Sequence, residues 1–213
     1  MTDISHGDLN GDGRQDIVIG ACFSSLCDSV YYCGTRSCGG SIGWYAQDSL
    51  GNFWLQPIIE DDTFFTWNLH VSDIDFDGDS DLIRCSKYRI TWFENDGLGN
   101  FTSHEVLNNY PYKVRAMNIF DLDGDGDQDL VANRRDSNYI YSIIWMEFTE
   151  EAGFANQQVI EDSTSHSPRM HAVDLDNDDD PDLVVVDGAE GSFYWYENEG
   201  GGIFNEYHHI PND

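Results

Sequence analysis

The sequence predicts an all-β protein, a four-bladed β-propeller with four antiparallel strands per blade and an acidic loop between the first and second strand of each. Three observations predict it. An Asp-rich nonapeptide recurs four times, at 8–16, 73–81, 121–129 and 174–182. A Trp and then a Phe follow each copy, always nine positions apart: Trp44 and Phe53, Trp92 and Phe101, Trp145 and Phe154, Trp195 and Phe204. Apolar and polar residues alternate around these landmarks, which is the period of a half-buried strand.

The elements follow in order. Each acidic segment leads into an apolar, β-rich run: Ile17-Val18-Ile19, Leu82-Ile83, Leu130-Val131 and Leu183-Val184-Val185-Val186. The distance from each Phe to the next leading Asp is 20 in all three cases, so the strand geometry repeats. Only the stretch from leading Asp to Trp varies, at 36, 19, 24 and 21. In the last repeat the four strands are expected near 170–173, 183–187, 192–198 and 204–210. No segment shows an apolar helical stripe with caps. A repeat of about 50 residues built from four strands is a propeller blade. One propeller is therefore expected over 1–213, with blades near 1–59, 60–108, 109–160 and 161–213 and a Cys-rich insertion at 21–40 in the first.

Composition narrows the partners. The 213 residues suffice for a buried core, and 40% hydrophobic content sets the chain apart from a disordered acidic tail. Ten basic against 40 acidic residues give a net charge of −30. Nucleic acid is excluded as a natural partner, because binding there rests on Lys and Arg neutralising phosphates. An anionic membrane surface is disfavoured for the same reason. No stretch reaches the roughly 20 apolar residues that span a bilayer. Cations remain as the obvious partners.

Cys22, Cys27, Cys33 and Cys38 crowd into one segment and read as two disulfides of an oxidising compartment. The competing zinc site is disfavoured, since the spacings are not tight C-x2-C pairs and the segment holds no His. Three pairings stay open. Cys85 falls in an expected strand and reads as a small buried hydrophobe. Asn100-Phe101-Thr102 is an N-glycosylation sequon, in keeping with secretion. The start of the sequence lacks the basic and apolar regions of a signal peptide. An extracellular or cell-surface location is expected, with the targeting segment lying outside this sequence.

The loops carry the chemistry. Calcium takes 6–8 oxygen ligands from carboxylates, carbonyls and water. Side chains at loop positions 1, 3, 5 and 9 can wrap one ion: Asp8, Asn10, Asp12, Asp16; Asp73, Asp75, Asp77, Asp81; Asp121, Asp123, Asp125, Asp129; Asp174, Asp176, Asp178, Asp182. Backbone carbonyls at position 7 come from Arg14, Asp79, Asp127 and Asp180. Position 6 needs a tight turn and holds Gly13, Gly78, Gly126 and Asp179. Asp tolerates the left-handed region better than most residues, so the fourth loop is expected to survive. An EF-hand is excluded: it wants Glu at position 12 and helical flanks, whereas Ile19, Arg84, Ala132 and Val185 stand there. Magnesium keeps more water and stricter geometry, so four Ca²⁺ sites are expected. Without ions, about four carboxylates per loop would repel one another and oppose folding.

The acidic loop, the Leu-Val strand, Trp-Phe-Glu-Asn-Asp-Gly-Leu-Gly-Asn-Phe at 92–101 and Trp-Tyr-Glu-Asn-Glu-Gly-Gly-Gly-Ile-Phe at 195–204 resemble the FG-GAP/VCBS repeat family, the integrin-α-like propellers. The resemblance covers nearly the whole chain. It implies a propeller with calcium in the loop between the first two strands of each blade. The first blade departs from the pattern, with Ala46 where the others carry Glu94, Glu147 and Glu197.

Other residues read as structural. His70 and His171 stand three residues before their leading Asp, which argues for packing beside the loop. His208 and His209 lie in the last strand, and the Trp series reads as blade core. No catalytic constellation stands out. The expectation is a non-catalytic extracellular structural or adhesive module, in its specific version one bead of a tandem array or filament, with other copies of itself or an extracellular protein or glycan as partner. A carbohydrate-binding propeller, resembling fungal lectins of this repeat family, is the alternative. A part of a polysaccharide-active enzyme is the second alternative.

Overall fold

The computed structural model describes residues 3–21, 41–60, 65–108, 112–164, 169–187 and 192–211. Their regular structure is all β, in sixteen strands. The first sheet holds β1 (Asp3–Gly7), β2 (Asp16–Ala21), β3 (Ser41–Gln47) and β4 (Phe53–Leu55). The second holds β5 (Thr66–Ser72), β6 (Asp81–Ser86), β7 (Arg89–Asn95) and β8 (Phe101–Asn108). The third holds β9 (Val114–Phe120), β10 (Asp129–Arg135), β11 (Tyr141–Thr149) and β12 (Gly153–Thr164). The fourth holds β13 (Arg169–Val173), β14 (Asp182–Asp187), β15 (Ser192–Asn198) and β16 (Phe204–Ile210). Each sheet is an antiparallel meander in sequence order.

The chain divides into two compact units, Met1–Pro111 and Tyr112–Asp213, each with two sheets. In the first unit, Leu9, Val18, Ile42, Trp44, Leu69, Leu82 and Phe93 form one buried cluster drawn from both sheets. In the second, Leu122, Val131, Ile143, Trp145, Met170, Leu183, Val185 and Tyr196 do the same. The alternating positions of the second and third strands supply most of these side chains. Burying each is worth roughly 1.5–3 kcal/mol.

The two units join their sheets alike. Trp44 and Trp145, both nearly fully buried, are covered by the β-turn that follows the third strand of the next sheet. A Cβ added at Gly99 would stand 2.7 Å from the Trp44 ring, and one at Gly202 would stand 2.3 Å from the Trp145 ring. Both glycines also have positive φ, 79° and 69°. Only glycine meets both demands. The fourth strand of the first sheet is the exception among the outer strands. It spans three residues, and Trp54 on it is 61% exposed.

Candidate metal centres

The four acidic nonapeptides lie between the first and second strands of the four sheets. Their backbones are built by the same bonds. The leading Asp accepts the position-6 amide: Gly13 to Asp8 (2.7 Å), Gly78 to Asp73 (3.1 Å), Gly126 to Asp121 (3.1 Å) and Asp179 to Asp174 (3.4 Å). The position-5 side chain accepts the position-7 amide: Arg14 to Asp12, Asp79 to Asp77, Asp127 to Asp125 and Asp180 to Asp178, all at 2.8–3.0 Å. These side-chain-capped turns curl the chain around a point. Positions 4 and 6 are left-handed throughout. Position 6 has φ of 82°, 98°, 100° and, at Asp179, 75°. The Asp at position 6 of the fourth loop thus adopts the glycine conformation, as expected. Position 4 has Gly11, Phe76, Gly124 and Asn177 at 69°, 59°, 77° and 66°.

Position 9 has a second role that spacing alone does not reveal. Asp16, Asp81, Asp129 and Asp182 are fully buried at the head of each second strand. One oxygen of each accepts the position-2 amide, from Leu9, Ile74, Leu122 or Leu175 (3.0–3.3 Å). The other accepts an amide at the end of the third strand, from Gln47, Asn95, Phe148 or Asn198 (2.8–2.9 Å). This carboxylate clips the loop to the third strand of its own sheet. Trp92 adds a bond from its indole N–H to Asp81. Burial pushes the carboxyls of Asp81 and Asp129 up to about 6, against the pull of these amides, and raises that of Asp16 as well. Each oxygen has two lone pairs, so a clipped carboxylate keeps capacity to ligate.

Position 2 is the hydrophobic plug of the loop. Leu9, Ile74 and Leu122 are fully buried, whereas Leu175 is 42% exposed. Loops 8–16 and 121–129 also share a cap. The Asn95 amide donates to the Leu9 carbonyl (3.0 Å) and the Asn198 amide to the Leu122 carbonyl (2.7 Å), each from the next sheet of the same unit.

The structure brings three carboxylate oxygens within 4.8 Å of one another in each of three loops: Asp73, Asp75 and Asp77; Asp121, Asp123 and Asp125; Asp174, Asp176 and Asp182. Among the described residues the first loop forms no such triad. Positions 1, 3 and 5 therefore meet in the second and third loops, and positions 1, 3 and 9 in the fourth. Glu94 and Glu147 add their charge to Asp75 and Asp123. The carboxyls of Asp75 and Asp123 are raised first by desolvation and then by neighbouring carboxylates.

These sites fit a hard divalent cation. All their donors are oxygens. The Oδ1 atom of Asp73 is buried and has no hydrogen-bond partner, while its Oδ2 accepts the Gly78 amide of its own loop. An orphaned carboxylate oxygen is costly, and a cation at the centre of the loop would satisfy it.

The loops flank a second constellation that the sequence did not disclose. His104 bonds Glu94 through Nε2 (2.7 Å) and stacks on Trp92 at 4.7 Å. His208 bonds Glu197 (2.7 Å) and stacks on Trp195 at 4.6 Å. In the third sheet Asn156 donates to Glu147 instead (2.9 Å). His171 packs edge-on against Phe120, at 5.8 Å. Asp77, Glu94, Asn95, Asp96, Asn100 and Phe101 line a cavity of about 290 Å³ beside the second loop. The sequon residue Asn100 is exposed there, its amide held by Asp96 (2.9 Å). Cys85 is fully buried, and burial pushes its thiol up to about 12. Cys22, Cys27, Cys33 and Cys38 lie outside the described residues.

No curated protein matches the sequence. Among solved structures, an Agrocybe aegerita lectin described as recognising non-reducing terminal N-acetylglucosamine aligns with 97% of this chain at a TM-score of 0.67 and 16% identity. The chain spans about half of that lectin, 52% of its length. The pore of a Photorhabdus luminescens Tc holotoxin aligns over 91% of this chain and 11% of its own, at a TM-score of 0.43 and 17% identity. The first likeness shows a shared all-β propeller-type fold. FG-GAP-like repeats match residues 73–132 and 121–185, and an FG-GAP repeat matches 2–28. Recurrent acidic loops, meander sheets and these matches over more than half of the sequence place the chain in the FG-GAP repeat family.

Proposed function

We propose that this chain is a non-catalytic extracellular module, structural or adhesive, whose four sheets are the blades of one propeller and whose acidic loops with a carboxylate triad carry calcium. The observation that carries the reading is the buried, partnerless Asp73 Oδ1 inside a carboxylate triad, repeated as a triad in the third and fourth loops. Calcium suits these donors, and extracellular modules bind it at roughly 0.1–1 mM. Family members are typically extracellular. Among the described residues no helix is long and apolar enough to cross a membrane. The ions act as staples: each ties the turn between two strands, and the position-9 clip passes that order to the third strand.

At ten times Kd, calcium adds roughly 1.4 kcal/mol per site. Three such sites raise the melting temperature of a chain this size by roughly 10 °C. Thermal melting with millimolar CaCl₂ and with EDTA tests the reading. Coincident melting curves would end it. Self-association completes the adhesive version, and light scattering with calcium present checks it: a monodisperse monomer removes the filament. Two disulfides among Cys22, Cys27, Cys33 and Cys38 and a glycan on Asn100 belong to the same secreted reading, and peptide mapping of secreted, non-reduced material reads both.

A carbohydrate-binding role is the second reading. It is supported by the cavity beside Asn100 and Phe101, lined with carboxylates, amides and an aromatic ring, and by the lectin's shared fold. A glycan array without hits removes it. Incubation with polysaccharides should leave their mass unchanged, and a loss of mass would favour an enzyme.

A further inference from the structure

The first loop shares its backbone bonds with the others, yet it differs in charge. Asn10 stands where the second and third loops have Asp75 and Asp123, and Ala46 stands where they have Glu94 and Glu147. Three carboxylates remain in it, Asp8, Asp12 and Asp16, against five aspartates in the second and third loops. It alone carries a cation of its own. The Arg14 guanidinium pairs with the Asp12 carboxylate, and its Nε donates to the Gln47 carbonyl at 2.8 Å. The Gln47 amide in turn donates to Asp16 at 2.9 Å. Arg14 is thereby moored to the third strand at the point where the position-9 clip also arrives.

We propose that the loop at 8–16 is closed by the Arg14 guanidinium and takes no metal ion, so that the chain binds three divalent ions and not four. The inference rests on the calcium reading of the other three loops. One oxygen of Asp12 accepts the Arg14 amide (2.9 Å), as position 5 does in every loop, but its other oxygen is taken by the guanidinium, which no other loop has. At the same position in the second and third loops, Asp77 and Asp125 face two further carboxylates. Calcium affinity rises with the number of charged ligands. An ion entering the first loop would have to displace a charge-assisted bond and would gain fewer anionic donors. The guanidinium offsets one of the loop's three carboxylate charges from within, so the turn meets less repulsion in the absence of calcium.

Equilibrium dialysis of the full chain against CaCl₂ in 0.15 M KCl, with calcium counted by emission spectroscopy, tests this. Three ions per chain are expected. Asn10→Asp combined with Arg14→Asp should raise the count to four, with folding checked by circular dichroism. Asp12→Asn should leave the count at three, while Asp125→Asn should lower it to two. Four ions on the wild type would overturn the inference and leave the calcium reading standing. An Asp12→Asn chain that loses an ion would do the same. No bound ion on any of these chains would remove both.

Discussion

The loops at 8–16 and 121–129 hold the same place in their two units. Both bury an apolar plug, Leu9 or Leu122, and both are capped by an Asn amide from the next sheet. Both are clipped by a buried Asp at position 9. Yet one contains a guanidinium and the other a carboxylate triad. The difference separates two jobs within one turn. Backbone bonds and the plug set its shape, and they are common to both. The charges at positions 3 and 7 set what cation it needs, and these are free to change, from Asn10 and Arg14 to Asp123 and Asp127.

The largest test of the shared part is removal of the clip. Asp129→Ala leaves two buried amides without an acceptor and Asp16→Ala one buried and one half-buried amide, a cost of roughly 3 kcal/mol in each case. Urea unfolding in EDTA should show similar losses for both. A mild Asp16→Ala would break the comparison, because it would mean that Arg14 alone holds the first loop. Gly202→Ala and Gly99→Ala come next. A methyl group at either would meet a buried Trp ring, with a cost of about 2–4 kcal/mol each, read in the same titration. Equal losses would show that the two sheet pairs are joined equivalently.

The pH response is smaller and sharpens the electrostatic half. In metal-free protein the Asp129 and Asp81 carboxyls titrate near 6, above the ordinary value of 3.8, because burial disfavours their charge. The folded state then binds protons more readily than the unfolded state. The resulting stabilisation is complete below 3.8 and is lost as pH rises through about 6. Acidifying the EDTA-treated protein from pH 7 to 5 should therefore stabilise it, by about 1 kcal/mol for each of these two groups. Melting temperature against pH checks the sign, and a fall on acidification would refute it. The smallest effect concerns position 4. Phe76 holds a left-handed φ of 59° where the first and third loops have glycine. Phe76→Gly should gain up to about 1 kcal/mol by relieving that strain, whereas Gly124→Ala should lose a similar amount.

Much of this was readable in the sequence because it is local. The strands at 192–198 and 204–210 follow from alternation and turn residues. The loops follow from nine contiguous positions. The contributions that escaped are those made across strands. The position-9 Asp spends its oxygens on an amide of the third strand, 14 to 31 residues away. That distance varies with the very loop whose length varies. The His–Glu–Trp stacks escaped for a related reason. Trp92 faces His104 and Trp195 faces His208 across their sheets, but a bulge after Glu197 adds one residue to the last strand. Glu and His are thus 10 apart in one copy and 11 in the other, and the repeat is hidden by a single inserted position. Arg14 escaped because position 7 serves through its carbonyl, so its side chain carried no expectation.

The Asn caps recur in every second sheet. Asn95 and Asn198 share one place in the repeat, while Gln47 and Phe148 occupy it in the other two sheets. The stacked imidazoles follow the same alternation. A single sheet lifted from such a chain would leave behind either its cap or the carbonyl that receives it. Recombination that adds or deletes repeats should therefore succeed in twos, and the heritable brick of this architecture is the couple.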